Sequence, residues 1–363
     1  MDKLRVVLLF GGRSSEHSIS CATAGGVLRA INRDRYEVIP VGITRDGAFV
    51  LEADDPDRFA LDPERLPQVV DNGTRVRWPE SAASRELTVT DASGERSLGD
   101  VDVVFPILHG RFGEDGTVQG LLELVGLPYV GNGVLSSAIG MDKHVTKTVL
   151  EGAGIQVAPW VTVTRAGLAA DPDLWKRRVH SLGLPVFVKP ARAGSSVGVS
   201  KVADWSELHE ALDTAFAEDR TVLVESAVVG REIECGVLEG RGAGEVHVSV
   251  AGEVVVTGRD FYDFEAKYLD APGVELICPA DLGDGELFEL QRVARRAFEA
   301  IGAEGLARVD VFLTDDGYIV NEVNTMPGFT PISMFPTCWL QTGLSYPELI
   351  DELIQVGHAR GAR

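Results

Sequence analysis

The chain has 363 residues, enough for roughly two or three domains, and its 45% hydrophobic and 25% charged content describes a globular protein with sizeable cores. Its 34 basic side chains face 55 acidic ones, a formal net charge of −21 that excludes a general binder of nucleic acid or anionic membranes. An anionic substrate would therefore need basic residues concentrated locally.

Leu4–Phe10 is a continuous apolar run closed by Gly11-Gly12 and predicts a buried parallel strand. The loop RSSEHS, a helix over about Ile19–Ile31 and a strand at Tyr36–Ile43 complete a βαβ unit of doubly wound type. The run is too short for a secretion signal and no later run reaches membrane-spanning length, so the expected location is the cytoplasm, with no membrane partner. GxGxxG is absent after the first strand, which argues against a nicotinamide cofactor. Residues 44 to 100 are polar and rich in Pro and Asp, and predict surface loops with a hairpin around WPESAASRELTVTD. Further expected elements are a strand at Val101–Leu108, a helix at Gly120–Val125, a short strand at Tyr129–Gly131 and a helix at Met141–Gly152. Strands follow at Ala158–Val163, Pro185–Lys189 and Val222–Glu225, with an amphipathic helix over Asp204–Phe216. Beyond Arg231 come strands at Glu232–Val237, Glu245–Val250 and Val254–Val256, a helix at Asp284–Ile301, a hairpin, and a last helix at Tyr346–His358. The expected class is α/β with α+β. A doubly wound N-terminal domain (1–138) precedes a central α+β subdomain (139–230) and a larger C-terminal α+β domain (231–363). Cys21, Cys235, Cys278 and Cys338 are far apart without ligand spacing and read as free thiols.

The most informative stretch is GLARVDVFLTDDGYIVNEVNTMPGF. The runs VDVFL and YIVNEV flank an Asp-Gly turn, which predicts an antiparallel pair. Asp310 and Glu322 then lie on neighbouring strands, and Asn324 shares a face with Glu322. With Arg308 these oxygen donors converge on a small volume, a donor set suited to Mg²⁺ sharing its shell with phosphate. A solvated acidic hairpin is the alternative, and it suits Asp315 and Asp316. It suits Glu322 poorly, because a lone carboxylate inside an apolar strand is costly.

Lys189 ends the apolar strand VFVK, and PARAGSSVGV follows. Small residues let backbone N–H groups close on phosphate oxygens while the lysine adds charge, although such loops are also common as plain hairpins. Glu225 ends the strand VLVE, where it could hold an adenine or ribose edge or stand as a surface residue. Glu232 would accept from ribose hydroxyls if its strand faces the cleft. Lys143 opens a helix against the helix dipole, which asks for a reason beyond helix stability. His109 and Glu16 sit in loops after buried strands and could share a crevice. Glu16 suits a substrate ammonium; His109 is a structural residue, a neutral hydrogen-bonding group or a base.

HGRFGEDG, MDK, VKPARAGSSVGVSKV, YDFEAKY and RVDVFL…NEVNTMPGFT occur in the order found in the D-alanine–D-alanine ligases of the ATP-grasp superfamily, and LLFGGRSSEHSIS is similar to that family's start. The resemblance spans nearly the whole chain except about 44 to 100. It implies the ATP-grasp fold and ATP-dependent ligation of two D-alanines through D-alanyl phosphate, for peptidoglycan precursors. It implies ATP contacts at Lys143, Lys189, Ser195, Glu225, Glu232, Lys267 and Asn321. Two Mg²⁺ ions, replaceable by Mn²⁺, would sit on Asp310, Glu322 and Asn324. Glu16 would take the first D-alanine's ammonium, linked through Ser195 to Tyr268, with His109 beside it. Arg308 and the Gly328 N–H would meet the oxyanion; Ser333 and Lys267 would meet the second carboxylate or the transferred phosphate. A homodimer is implied too. Phe264, Ser226 and Met326 depart from the family pattern without removing a catalytic group. A D-alanine–D-lactate depsipeptide ligase is the nearest rival, and Tyr268 in EAKY speaks for the dipeptide enzyme.

Overall fold

The computed structural model describes residues 3–62, 65–194, 196–241, 244–256 and 273–361. The opening apolar run forms β1 (Leu4–Gly11), α1 (His17–Ala30) follows, and β2 (Tyr36–Ile43) lies parallel to β1 in the register Leu4 to Tyr36. β3 (Phe49–Leu51) adds antiparallel to β2. Between residues 44 and 100 the expected hairpin is present as β4 (Arg75–Arg77) paired with β5 (Glu86–Asp91). The region is more than loops, because β6 (Gly94–Asp100) extends the pair to a three-stranded sheet. The second turn is made by Asp91, whose carboxylate accepts the Ser93 N–H, and by Gly94 at φ 113°.

β7 (Val103–Ile107) joins the other edge of β1 in parallel, giving the order β3-β2-β1-β7. The short strand expected at Tyr129–Gly131 is a single parallel bridge between Val104 and Tyr129. After α2 (Thr117–Val125) comes α3 (Val134–Met141), a helix the sequence reading did not foresee, and then α4 (Lys143–Gly152), the helix expected over Met141–Gly152. Asp142 leaves helical geometry and its carboxylate accepts the N–H groups of His144 and Val145, an N-cap that restarts the helix at Lys143.

The central unit holds β8 (Trp160–Thr164), α5 (Arg165–Ala170), α6 (Pro172–His180), β9 (Val186–Pro190), β10 (Ser200–Val202), α7 (Leu208–Glu218) and β11 (Thr221–Ser226). The sequence reading foresaw neither α5 nor α6. It also started α7 too early, since Trp205–Glu207 is a separate 3₁₀ turn. The strands run antiparallel in the order β10-β9-β11-β8.

The last unit contains β12 (Arg231–Glu239), β13 (Val246–Val256), β14 (Val274–Ile277), α8 (Asp284–Ala300), β15 (Leu306–Thr314), β16 (Gly317–Asn324), α9 (Met334–Thr342) and α10 (Tyr346–Arg360). Its antiparallel order is β14-β13-β12-β15-β16. β13 is continuous where two strands were expected. Gly252 marks a close approach instead of a break, because a methyl there would collide with Met334 Sδ of α9. α10 packs under the first sheet, with Leu349, Ile350, Leu353 and Ile354 joining Val6, Leu8, Phe10 and Phe105 in one core.

Candidate active site

Three antiparallel strands create an acidic row. Glu234 of β12 lies opposite Asp310 of β15, which lies opposite Glu322 of β16, and Arg308 lies opposite Asn324. Arg308 grips Asp310 with two parallel bonds, Nε to Oδ1 and Nη2 to Oδ2, each 2.7 Å, and its Nε is 3.1 Å from Glu234 Oε2. Asn324 Nδ2 donates to Asp310 Oδ2 at 2.9 Å and to Glu322 Oε1 at 3.4 Å. Burial pushes the Asp310 carboxyl up to about 7; Glu234 and Glu322 add to this while Arg308 opposes it. Burial alone would lower Arg308, yet Asp310 and Glu234 hold it well above its ordinary value. Glu234, Asp310 and Glu322 thus stand in one row beside the Arg308 guanidinium.

The opposite wall is basic. Lys189 of β9 pairs with Leu223 of β11, and Glu225 lies two residues along on the same face. Lys189 Nζ donates to Glu225 Oε1 at 3.1 Å, and Lys147 Nζ of α4 stands 3.0 Å from Glu225 Oε2. Burial would raise the Glu225 carboxyl, but Lys189 and Lys147 together keep it below its ordinary value. Lys143, one turn before Lys147, donates Nζ to Ala193 O at 2.7 Å and its N–H to Ala191 O, which ties α4 to the Gly/Ser loop. The base of that loop is fixed by Arg192, whose Nε and Nη2 reach the Asp219 carboxylate at 2.9 and 2.7 Å.

Glu16 ends the loop before α1. A methyl added at Gly110 or Gly194 would meet its Oε2 at 2.7 or 2.8 Å, so two glycines leave room for this buried carboxylate. His109 Nδ1 faces Met326 O at 3.2 Å, which makes Nδ1 the donor and Nε2 the basic nitrogen. Nε2 is buried without a hydrogen-bond partner among the described residues, and burial holds the imidazole neutral by lowering its pKa. Glu114 accepts the N–H groups of Gly110 and Met326, and burial followed by the charge of Glu16 pushes its carboxyl up to about 8.

One cavity of about 740 Å³ is lined by these groups. From the sequence it gathers Glu16, His109, Lys143, Lys189, Glu225, Glu232, Arg308, Asp310, Asn321, Glu322, Asn324, Gly328 and Ser333. Ser333 Oγ lies 2.7 Å from Thr330 Oγ1 just before α9. Ser195, Lys267 and Tyr268 lie outside the described residues. Sequence reasoning missed three charged groups here. Lys147 could have been found by its i+4 spacing from Lys143, Glu234 by strand alternation from Glu232, and Glu114 only through the loop that buries it.

The chain matches the family profile for the D-ala D-ala ligase N-terminus over residues 5–132 and that for the C-terminus over residues 149–355. It is 52% identical to a D-alanine–D-alanine ligase of Pseudarthrobacter chlorophenolicus over 359 residues, 98% of this chain and 94% of the relative. Among solved structures it is similar to VanG D-Ala:D-Ser ligase from Enterococcus faecalis, with a TM-score of 0.83, 34% identity and coverage of 98% and 99% of the two chains. The D-alanine-D-alanine ligase from Coxiella burnetii superposes with a TM-score of 0.82 at 35% identity, covering 100% of this chain and 96% of the other.

Proposed function

The chain belongs to the D-alanine–D-alanine ligase family, with its ATP-grasp fold and ATP-dependent ligase activity, and on that premise we propose how its side chains join two D-alanines. A carboxylate is a poor acyl donor, so a carboxylate oxygen of the first D-alanine attacks the γ-phosphate of ATP, ADP leaves, and D-alanyl phosphate forms. The amine of the second D-alanine, having given up a proton, attacks the acyl carbon, and phosphate departs with the bonding pair. The dipeptide serves peptidoglycan synthesis.

Glu16 would hold the ammonium of the first D-alanine, and the basic Nε2 of neutral His109 would accept from the same group. Lys143 and Lys189 would neutralise ATP phosphates. Glu225 would act on the nucleotide through the lysines that share its carboxylate, while Glu232 and Asn321 line the remaining nucleotide wall. Arg308 and the Gly328 N–H would meet charge developing on the acyl oxygen, with Ser333 nearby for the second carboxylate. By resemblance alone, Ser195, Lys267 and Tyr268 would close over the reactants and keep water from the acyl phosphate.

The acidic row fits Mg²⁺, since its donors are hard oxygens gathered at one place on neighbouring strands of a single sheet. Asp310, Glu322 and Asn324, the last through Oδ1 with its amide turned over, would hold the ion. Among the described residues no three His, Cys, Asp or Glu groups already form a metal cage, so phosphate oxygens and water would complete the shell. Bound there, Mg²⁺ offsets phosphate charge during transfer.

The observation that carries this reading is the lysine wall facing a carboxylate row across one cavity. The test is phosphate release with ATP, Mg²⁺ and a panel of D-alanine, D-serine and D-lactate. D-alanine should be preferred, and Glu322→Gln should abolish release with circular dichroism unchanged; normal turnover by that variant refutes the metal role. No observation in the cleft favours D-lactate. We further propose a cytoplasmic homodimer, supported by family membership; no described helix is long and apolar enough to cross a membrane.

A further inference from the structure

We propose that Lys147 is a positioning residue for nucleotide binding, sharing the Glu225 carboxylate so that Lys189 keeps its charge for the phosphates. The inference rests on the ATP-site reading above and goes beyond it, because Lys147 belongs to none of the motifs that carry the family resemblance.

Lys147 is only 2% exposed, a rare state for a lysine, and lies on the buried face of α4 one turn beyond Lys143. Glu225 is 3% exposed, and its two oxygens are divided between two ammonium groups, Oε1 with Lys189 at 3.1 Å and Oε2 with Lys147 at 3.0 Å. Lys147 Nζ and Glu225 Oε2 meet as a buried ion pair, and Glu225 is the carboxylate against which Lys147 is set. The Trp160 ring, 5.8 Å from Lys147 Nζ, supplies the remaining stabilisation of the cation.

Such a group is a poor device for stability. Burying a lysine is costly even when it is paired, and an apolar side chain of similar length would fill the same space more cheaply. Burial lowers the Lys147 pKa, with Glu225 opposing and Lys189 and Lys143 reinforcing the shift, so the fold tolerates this cation more than it gains from it.

A function follows from charge. If Lys189 had Glu225 to itself, the pair would be neutral and the carboxylate would compete with phosphate for the Lys189 ammonium. With Lys147 on the other oxygen, two cations share one anion and the trio stays positive. Lys147 holds Oε2 while Lys189 holds Oε1, so Lys189 can turn toward phosphate without stranding a buried carboxylate.

The test uses the full-length protein with ADP titrated calorimetrically and steady-state KM values for ATP and D-alanine. Lys147→Met keeps the length and removes the charge. It should weaken ADP binding and raise KM for ATP by about tenfold, a size typical of a residue one shell behind a ligand, while KM for D-alanine and the melting temperature stay near wild type. Lys147→Arg should bind ADP within about threefold of wild type, because charge is what the site needs. Adding Lys147→Met to Glu225→Gln should cost nothing more, since the carboxylate to be shared is gone. Unchanged ADP affinity in Lys147→Met overturns the proposal. So do equal losses toward ADP and D-alanine with a fallen melting temperature, or single effects that multiply in the double variant. If Lys147→Met does not fold, Lys147→Arg decides alone, and a tenfold loss at unchanged melting temperature refutes the charge argument. A wild-type protein that binds no ADP would instead overturn the nucleotide site itself.

Discussion

Glu114 joins the loop after β7 to the loop after β16, accepting Gly110 N–H at 2.5 Å and Met326 N–H at 3.3 Å. Its carboxyl is raised from 4.5 to about 8 by burial and by the neighbouring Glu16 charge, so near neutral pH it is a neutral acid. Because the folded state holds this proton more tightly than the unfolded chain, the stabilisation is complete below about pH 4.5. It is lost as pH climbs through 8. At about 1.4 kcal/mol per pH unit the full linkage is about 5 kcal/mol. Glu114 lines the cleft and solvent reaches it there, so we expect about 2–3 kcal/mol to be measurable. Glu114→Gln keeps the shape and the neutral state while removing the proton. Urea unfolding of both proteins between pH 4.5 and 8.5 isolates the effect as their difference. Wild type should lose about 2–3 kcal/mol relative to Glu114→Gln as pH rises across this window. A difference that stays constant would show that Glu114 ionises normally and that burial is not controlling its charge.

Asn132 is buried and satisfies three backbone groups, donating to Leu306 O and Thr325 O at 2.6 and 2.8 Å and accepting Glu304 N–H at 2.9 Å. Asn132→Ala should cost about 2–4 kcal/mol in urea unfolding, and a loss below about 1 kcal/mol would mean that water takes over these bonds. Of the four free thiols only Cys278 is less than fully buried, and the Cys338 sulfur at 3.7 Å favours its thiolate. A chromogenic disulfide reagent should therefore label one thiol quickly in the native protein, and Cys278→Ser should remove that fast phase; its survival would place the reactive thiol elsewhere.

The sequence carried the acidic hairpin well, because Asp-Gly sets the turn and alternation places Asp310 and Glu322 side by side. Alternation from Glu232 puts Glu234 on the same strand face, but its place beside Asp310 follows only once β12 is known to pair with β15 across roughly seventy residues of chain. Lys189 was legible as the end of an apolar strand, whereas Lys147 was hidden inside a helix whose polar residues look like a solvated face. The sheet between residues 75 and 100 was under-read because β6, GERSLGD, is mostly exposed and shows no apolar alternation. α9, MFPTCWLQT, was missed for the opposite reason, being apolar on nearly all sides with Pro336 in its first turn, where proline is tolerated. α10 was found, but periodicity cannot say which sheet its apolar face will cover.

The two walls of the cleft also settle an apparent conflict between a chain of net charge −21 and a polyanionic substrate. Averaged over the molecule, the charge repels a triphosphate. Within the cleft, Lys143, Lys147 and Lys189 come from α4 and β9, while Glu234, Asp310 and Glu322 come from β12, β15 and β16. A bare triphosphate would be attracted to one wall and repelled by the other. A triphosphate carrying a divalent cation presents negative oxygens to the lysines and a positive ion to the carboxylates, so it suits both walls together. On the proposed reading, the carboxylates would favour the metal-bound form of the nucleotide, and Lys143 and Lys189 would set where along the cleft its phosphates come to rest.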